Sequence, residues 1–261
     1  MTEPNGRSGK LVVRVRRSHP DRWEEFHVER RPNANVISVL MQIQRSPVTA
    51  DGKKTTPPAW DAACLEEVCG SCTMVINGKV RQACSALIDH LDEPVTLSPM
   101  TKFPLVRDLT VDRQKMFEAL KRVKAWVPID GTYDLGPGPR QAPEEQELRY
   151  VLSTCMTCGC CLEVCPQVSP STKFIGAAAI SQVRLFNTHP TGAMNAAERL
   201  HGLMGEGGVT DCGKAANCVV ACPKGIPLTS SIADMAREAT KQAFKDWFFR
   251  DERKGGAGPA G

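Results

Sequence analysis

The sequence lacks several features that mark common functional classes. Its longest strongly apolar run, Phe174–Ile180, has seven residues, far short of the roughly 18–20 that cross a bilayer. The net charge is only +4 over 261 residues, and no basic patch interleaved with aromatic residues is present, which argues against nucleic-acid binding. There is no glycine-rich phosphate loop and no dinucleotide fingerprint, so NAD, ATP or a flavin is not expected on this chain itself.

Histidines are scarce, whereas cysteines are abundant. The N-terminus is polar and charged from Thr2 to Lys10 and carries no secretory signal, so export and disulfide formation are not expected. Structural zinc is the weaker alternative. It requires closed sets of four ligands, and the eleven cysteines that fall in the spacing patterns described below do not divide into fours. None of the five histidines lies inside a cysteine group: His19, His27, His90, His189 and His201.

The second of three cysteine groups follows the bacterial ferredoxin pattern, Cys-x2-Cys-x2-Cys-x3-Cys-Pro, by which such proteins hold cubane clusters. Its members are Cys155, Cys158, Cys161, Cys165 and Pro166. The third group has the same frame, but Ala215 stands where the second cysteine is expected. Its members are Cys212, Cys218, Cys222 and Pro223.

In proteins with two such runs, the last cysteine of each run ligates the other run's cluster. This crossing predicts a 4Fe–4S cluster on Cys155, Cys158, Cys161 and Cys222. It leaves Cys165, Cys212 and Cys218 for the other cluster. Three thiolates opposite an alanine suit a cube that lacks one iron, 3Fe–4S. Cys160 fits neither frame and is expected to be a small buried residue lining the cluster cavity.

The first cysteine group has a different spacing. Cys64-x4-Cys69-x2-Cys72 matches the plant-type pattern for a 2Fe–2S cluster, and Cys84 is the expected fourth ligand. Only eleven residues separate Cys72 from Cys84, fewer than in plant-type ferredoxins. Gly70 lies inside the loop, where the backbone must bend closely around the cluster.

A β-hairpin explains the short interval before Cys84. Asn77-Gly78 is a strong signal for a two-residue turn, since both central residues need positive φ. The flanking segments Thr73–Ile76 and Lys79–Gln82 are then the two strands. Such a hairpin would return Cys84 to the loop that carries the other three cysteines.

The N-terminal residues 1–106 are predicted to form a small α+β domain. Alternating apolar residues predict strands at Lys10–Arg17 and Glu24–Arg30, and another strand is expected near Val95–Leu97. Asn35 is a candidate N-cap for a helix between them.

Residues 107–250 are predicted to form an all-helical domain, with no strand after about residue 106, and residues 251–261 a disordered tail. Met116, Phe117, Leu120 and Val123 are expected on one buried helix face. Trp247-Phe248-Phe249 is expected to pack in the core or against a subunit, and contact with a membrane surface is the alternative. The predicted helices are Val111–Trp126, Glu144–Thr154, 172–187, 194–205 and 229–249, with a loop at 128–143.

This arrangement resembles the iron–sulfur subunit of succinate dehydrogenase and fumarate reductase, over residues from about 10 to 250. The resemblance implies a β-grasp ferredoxin domain followed by a helical bacterial-ferredoxin domain. It also implies that a partner flavoprotein with FAD oxidises succinate to fumarate. Electrons would then pass through 2Fe–2S, 4Fe–4S and 3Fe–4S clusters to a quinone beside a membrane anchor subunit that often carries haem b.

The quinone type is inferred from a departure after the second run and from the segments Cys64–Cys69 and Lys124–Pro139, which look more like the menaquinone-linked branch of the family. Ubiquinone-linked members of this family place tryptophans shortly after the Cys-Pro of the second run, whereas this chain has Pro166-Gln-Val-Ser-Pro170. The resemblance therefore favours menaquinone and a single-chain, di-haem cytochrome b anchor. Pro166, Gln167 and Ser169 are the residues expected near the quinone.

The resemblance places the chain peripherally on the cytoplasmic face of a bacterial plasma membrane, held there by the anchor. Two alternatives stay open. The same subunit could serve a fumarate reductase, since the direction of reaction is not encoded in this chain. It could also be a non-enzymatic ferredoxin-like carrier, against which Ala215 and the N-terminal cysteine loop argue.

Overall fold

A five-stranded mixed sheet forms the N-terminal part of the computed structural model, which describes residues 9–128 and 140–249. Its strands are β1 (Lys10–Ser18), β2 (Asp21–Glu29), β3 (Thr73–Ile76), β4 (Lys79–Gln82) and β5 (Val95–Ser98). The order across the sheet is β2-β1-β5-β3-β4. β1 pairs antiparallel with β2 and parallel with β5, and β3 pairs antiparallel with β4 and β5.

The core of this sheet follows from the alternation in β1. Leu11, Val13 and Val15 are fully buried because successive side chains of a strand point to opposite faces. Helix α1 (Val36–Arg45) contributes its apolar face to the same core. The Asn35 side chain caps it by accepting a hydrogen bond from the Ser38 N–H at 2.9 Å. The predicted α+β domain, a helix on a mixed sheet, is confirmed.

A short hairpin corrects the expectation that no strand follows residue 106. Strands β6 (Leu105–Arg107) and β7 (Thr110–Val111) pair antiparallel. The turn is held by Asp108, which has φ of +47° and a buried carboxylate. That carboxylate accepts hydrogen bonds from the Ser18 and Ala59 N–H groups at 3.0 and 2.9 Å. These partners are far away in sequence, so local pattern gave no sign of the hairpin.

Helices dominate the rest of the described chain, as predicted. They are α2 (Gln114–Arg122), α3 (Pro143–Ser153), α4 (Cys160–Glu163), α5 (Gly176–Thr188), α6 (Ala196–Leu203), α7 (Asn217–Ala221) and α8 (Leu228–Phe248). The predicted helix Val111–Trp126 is shortened at both ends. Val111 belongs to β7, Asp112 accepts from the Gln114 N–H at 2.8 Å, and Lys124 takes a positive φ of +47°.

The expected apolar face of α2 was wrong at Phe117. Met116 and Val123 are buried as predicted, but Phe117 is 54% exposed and Ala119 is buried instead. Trp247, Phe248 and Phe249 are all more than half exposed, so they are not core residues of this chain. Their packing against a subunit stays a prediction.

The chain divides into two compact units. The first contains the described residues up to Lys115 together with Met156–Val164 and Ala221–Pro223, and the second contains the remaining described residues. The domain boundary predicted between residues 106 and 107 stays a prediction. The tail predicted at 251–261 and most of the loop predicted at 128–143 lie outside the described residues. No helix within the described ranges is long and apolar enough to cross a membrane.

Candidate cluster-binding sites

The first cysteine loop turns its backbone N–H groups toward sulfur. The Cys64 sulfur accepts hydrogen bonds from the N–H groups of Val68 and Cys69 at 3.3 Å and of Glu66 at 3.5 Å. The Cys69 sulfur accepts from the N–H groups of Cys64 and Ser71, both at 3.5 Å. Convergent backbone donors of this kind form a concave site for negative charge. They fit thiolates and the sulfide of a cluster.

The loop reaches this shape through left-handed backbone. Leu65, Glu67 and Gly70 have φ of +63°, +58° and +69°. L-residues pay roughly 1–2 kcal/mol in this region, so Leu65 and Glu67 hold a strained conformation. Strain of this type is found where a site imposes the backbone path.

The predicted hairpin closes the first site. Asn77 and Gly78 have φ of +48° and +75°, as a two-residue turn requires. The Ala83 N–H donates to the Cys72 carbonyl at 3.1 Å, so the hairpin ends beside Cys72. Burial, followed by the neighbouring Cys72 thiol, raises the pKa of Cys84 to about 11. The structure therefore brings Cys72 and Cys84 together.

The thiols of the first site differ in acidity. The Ser71 hydroxyl, followed by backbone donors, lowers the pKa of Cys69 to about 6. Metal ligation requires deprotonated thiols. The Cys69 thiol therefore loses its proton more readily than the Cys84 thiol.

The four cysteines predicted to hold the 4Fe–4S cluster come from two runs. Cys158, Cys161 and Cys222 belong to the first compact unit, and Cys155 belongs to the second. A hydrogen bond from Cys160 lowers the pKa of Cys158 to about 7. Cys160 is 1% exposed, which confirms that it is a buried residue.

The third site is a recess within the second unit, with about 340 Å³ of empty space including its open mouth. Three predicted ligands line it: Cys165, Cys212 and Cys218. Ala215 lines the same recess, and no fourth cysteine is among the lining residues. Burial, followed by the charges of Cys165 and Cys212, raises the pKa of Cys218. The recess and its donors fit a cluster held by three thiolates.

The second and third cysteine runs repeat the same backbone pattern. Thr157 and Gly159 have φ of +49° and +91°, two and four residues after Cys155. Lys214 and Ala216 have φ of +58° and +60°, two and four residues after Cys212. The third run therefore folds as a ferredoxin run although its second cysteine is absent.

Two of the three residues expected near a quinone lie at the recess. Pro166 and Gln167 line it together with Cys165. Ser169 is not among its lining residues; its N–H donates to the Thr172 hydroxyl at 2.9 Å. The Gln167 side chain packs so closely on Gly213 that an added Cβ would lie 2.4 Å from its amide nitrogen.

Within residues 9–128 and 140–249, no three His, Cys, Asp or Glu side chains are arranged to hold a single metal ion.

Sequence reasoning missed Arg113 and Gln82. Arg113 donates to the carbonyl oxygens of Gly70 and Ser71 in the first cysteine loop. Gln82 is fully buried and donates to the Cys160 sulfur at 3.3 Å. Arg113 lies outside every cysteine group, and Gln82 lies between Cys72 and Cys84 but is not a cysteine, so ligand spacing gave no signal for either residue.

Comparisons with known proteins identify two types of domain in this chain. A family profile described as a 2Fe–2S iron–sulfur cluster binding domain matches residues 11–118. One described as a 4Fe–4S dicluster domain matches residues 150–226. Fold and sites thus define an iron–sulfur protein with two ferredoxin-type domains.

Sequence identity to known proteins shows to which family of iron–sulfur proteins the chain belongs. The chain is 62% identical to the succinate dehydrogenase iron–sulfur subunit of Bacillus subtilis over 87% of this chain and 90% of that protein. It is 30% identical to the fumarate reductase iron–sulfur subunit of Wolinella succinogenes over 87% of this chain and 96% of that protein. The chain belongs to the family of iron–sulfur subunits of succinate dehydrogenase and fumarate reductase.

A solved structure shares the fold. A chain of the Mycobacterium smegmatis Sdh1 complex in the apo form superposes with a TM-score of 0.72 at 22% identity, covering 91% of this chain and 98% of that chain. At this identity the likeness concerns the fold alone, and it agrees with the predicted α+β architecture.

Proposed function

We propose that this chain is the electron-transfer subunit of a succinate:quinone oxidoreductase. The single observation that carries this proposal is the 62% identity to a succinate dehydrogenase iron–sulfur subunit over most of both chains. The two iron–sulfur domain profiles support the same role. When bound, the clusters supply a series of one-electron redox centres between a flavin and a quinone.

The residues of this chain hold those centres in three sets. The 2Fe–2S set is Cys64, Cys69, Cys72 and Cys84. The 4Fe–4S set is Cys155, Cys158, Cys161 and Cys222, paired by the crossed ferredoxin rule. The 3Fe–4S set is Cys165, Cys212 and Cys218, supported by the recess that these three cysteines line together with Ala215.

The quinone is proposed to bind beside the third site. Pro166 and Gln167 line the recess and are exposed, so they offer the contact surface, with Ser169 nearby in sequence. The absence of tryptophan between Pro166 and Pro170 supports menaquinone.

The partners are proposed to be a flavoprotein with FAD, which carries the succinate site, and a membrane anchor with two b haems. The anchor would hold this chain at the cytoplasmic face of a bacterial plasma membrane. Succinate oxidation is favoured over fumarate reduction because the succinate dehydrogenase relative is 62% identical and the fumarate reductase relative 30%.

The test is purification of the whole membrane complex through a tag on this chain. We expect a co-purifying FAD polypeptide and succinate-driven reduction of a menaquinone analogue. Cys161→Ser should lower quinone reduction at least about tenfold, an activation cost of about 1.4 kcal/mol. Succinate oxidation measured with a dye that takes electrons directly from the flavin should persist.

Cys160→Ser is the matched control, since both cysteines are buried and adjacent but only Cys161 lies in a ligand frame. It should retain quinone reduction. Purification without a flavoprotein, or equal loss in the two variants, would contradict the proposal.

A further inference from the structure

Arg113 contacts the first cysteine loop from outside the cysteine pattern. It lies between β7 and α2, and its guanidinium donates to the carbonyl oxygens of Gly70, Ser71 at 2.7 Å and Thr73 at 3.5 Å. Backbone carbonyls accept hydrogen bonds but do not neutralise a charge. The guanidinium therefore binds the loop while retaining its positive charge.

The charged groups that act on Arg113 are the Asp61 carboxylate, which acts most strongly, and three cysteines. Burial lowers the pKa of Arg113, whereas negative charge on Asp61, Cys158, Cys72 and Cys160 raises it. Cys72 belongs to the proposed 2Fe–2S set and Cys158 to the proposed 4Fe–4S set. Arg113 is thus a fixed cation close to ligands of two sites.

The two cysteine loops touch at Gly70. A Cβ added there would lie 2.7 Å from both the Cα and the Cβ of Cys158, closer than real contacts allow. Gly70 also has φ of +69°. The carbonyl to which Arg113 donates therefore belongs to the residue at which the loops meet.

A hydrogen-bonded chain continues from this contact. The Thr73 hydroxyl donates to the Gly70 carbonyl at 2.7 Å. The amide of buried Gln82 donates to that hydroxyl at 3.1 Å and to the Cys160 sulfur at 3.3 Å. Arg113 and Thr73 thus share the Gly70 carbonyl, and the network links the first loop to the second cysteine run.

We infer that Arg113 is a positioning residue that holds the first cysteine loop against Cys158 and raises the reduction potential of the two adjoining redox sites. The inference rests on the proposed function, which assigns those sites. Reduction by one electron adds one negative charge at a site without forming or breaking a bond. A guanidinium stays protonated, and its attraction for the added charge is strengthened by partial burial.

The test is an EPR-monitored redox titration of the purified complex. Arg113→Gln should lower both adjoining midpoint potentials, so that the reduced-to-oxidised ratio at the wild-type midpoint falls on the order of tenfold, or about 59 mV for one electron. Arg113→Lys should keep potentials near wild type because it keeps the charge, although it loses the planar fork.

Arg14→Gln is the surface control. Arg14 is half exposed and pairs with Glu25 at 2.9 Å, a kind of pair that contributes little to stability. It should leave all potentials unchanged. The third site provides an internal reference, and its potential should not move in any variant.

Unchanged potentials in Arg113→Gln would overturn the inference, even if thermal stability fell, because the role would then be structural alone. If Arg113→Gln does not retain clusters, Arg113→Lys decides: wild-type potentials support the inference and lowered ones contradict it. Failure of both variants to retain the first two clusters would limit Arg113 to holding the loops and overturn the claim on potential. A wild-type complex without these signals would instead refute the proposed function.

Discussion

At the residue scale, Gly70 combines two requirements that are normally separate. Its φ of +69° lies in the left-handed region, and its α-carbon faces Cys158 with no space for a methyl group. Gly78 shares the positive φ, +75°, but has nothing within 4 Å of an added Cβ. Substitution of Gly78 therefore tests backbone strain alone, whereas substitution of Gly70 tests strain together with the close approach to Cys158.

Gly78→Ala is expected to destabilise by about 1–2 kcal/mol through backbone strain. Gly70→Ala should cost about 1–3 kcal/mol more, because the added methyl overpacks the contact with Cys158. Thermal unfolding of the anaerobic protein, with iron content measured in parallel, checks the order. Equal melting temperatures for the two variants would show that the loops do not approach as described.

The cysteines were the part of the site most accessible to sequence reasoning. Ligand spacing is a property of the chain itself, so the groups could be read without knowing the fold. Arg113 could not be found in this way, because its importance comes from carbonyls of Gly70 and Ser71 more than forty residues away. Lys214 and Ala216 likewise adopt a left-handed backbone conformation, which could not be predicted because neither residue is a glycine.

At the element scale, long periodic segments were predictable and short ones were not. α8 was predicted at 229–249 and spans Leu228–Phe248. α4 and α7 have four and five residues, too few for periodicity or for independent helix formation. β6 and β7 depend on Asp108 and its distant partners. Phe117 is exposed although it lies on an apolar helix face, so periodicity alone misassigned its burial.

Helix α1 is joined to the first cysteine loop through its N-cap. The Asn35 carbonyl oxygen caps the helix at the Ser38 N–H, and its amide donates to the Cys84 carbonyl at 2.8 Å. One side chain thus stabilises an element and a segment of the site.

Asn35→Ser separates the two roles, because serine caps helices about as well as asparagine but is too short to replace the amide donor. We expect Asn35→Ala to destabilise by about 1 kcal/mol through the lost cap and by about 1 kcal/mol more through the lost bond to Cys84. Asn35→Ser should lose only the second part. Melting temperatures in the order wild type, serine, alanine are predicted; serine and alanine variants that melt together would contradict the separation.

At the scale of the whole molecule, each compact unit contains cysteines whose arrangement is not explained by packing in an apolar core alone. The first contains the hairpin-closed loop with its convergent N–H groups, and the second contains the three-cysteine recess. Because ligand binding couples to folding, cluster assembly and the fold of both units are expected to be interdependent. The proposed three-iron cluster depends on the recess beside Ala215, because a cysteine at that position would predict a second four-iron cluster instead.

The most direct test of this account is low-temperature EPR of the anaerobically purified protein and its Ala215→Cys variant, each oxidised and then reduced with dithionite. The wild type should show a near-isotropic three-iron signal when oxidised, replaced by a 2Fe–2S signal on reduction. The variant should lose the oxidised signal and gain a second four-iron signal on reduction. The account would be contradicted by an oxidised wild type without that signal, or by a variant that keeps it. Either result would mean that Cys165, Cys212 and Cys218 do not hold a three-iron cluster with three thiolates alone.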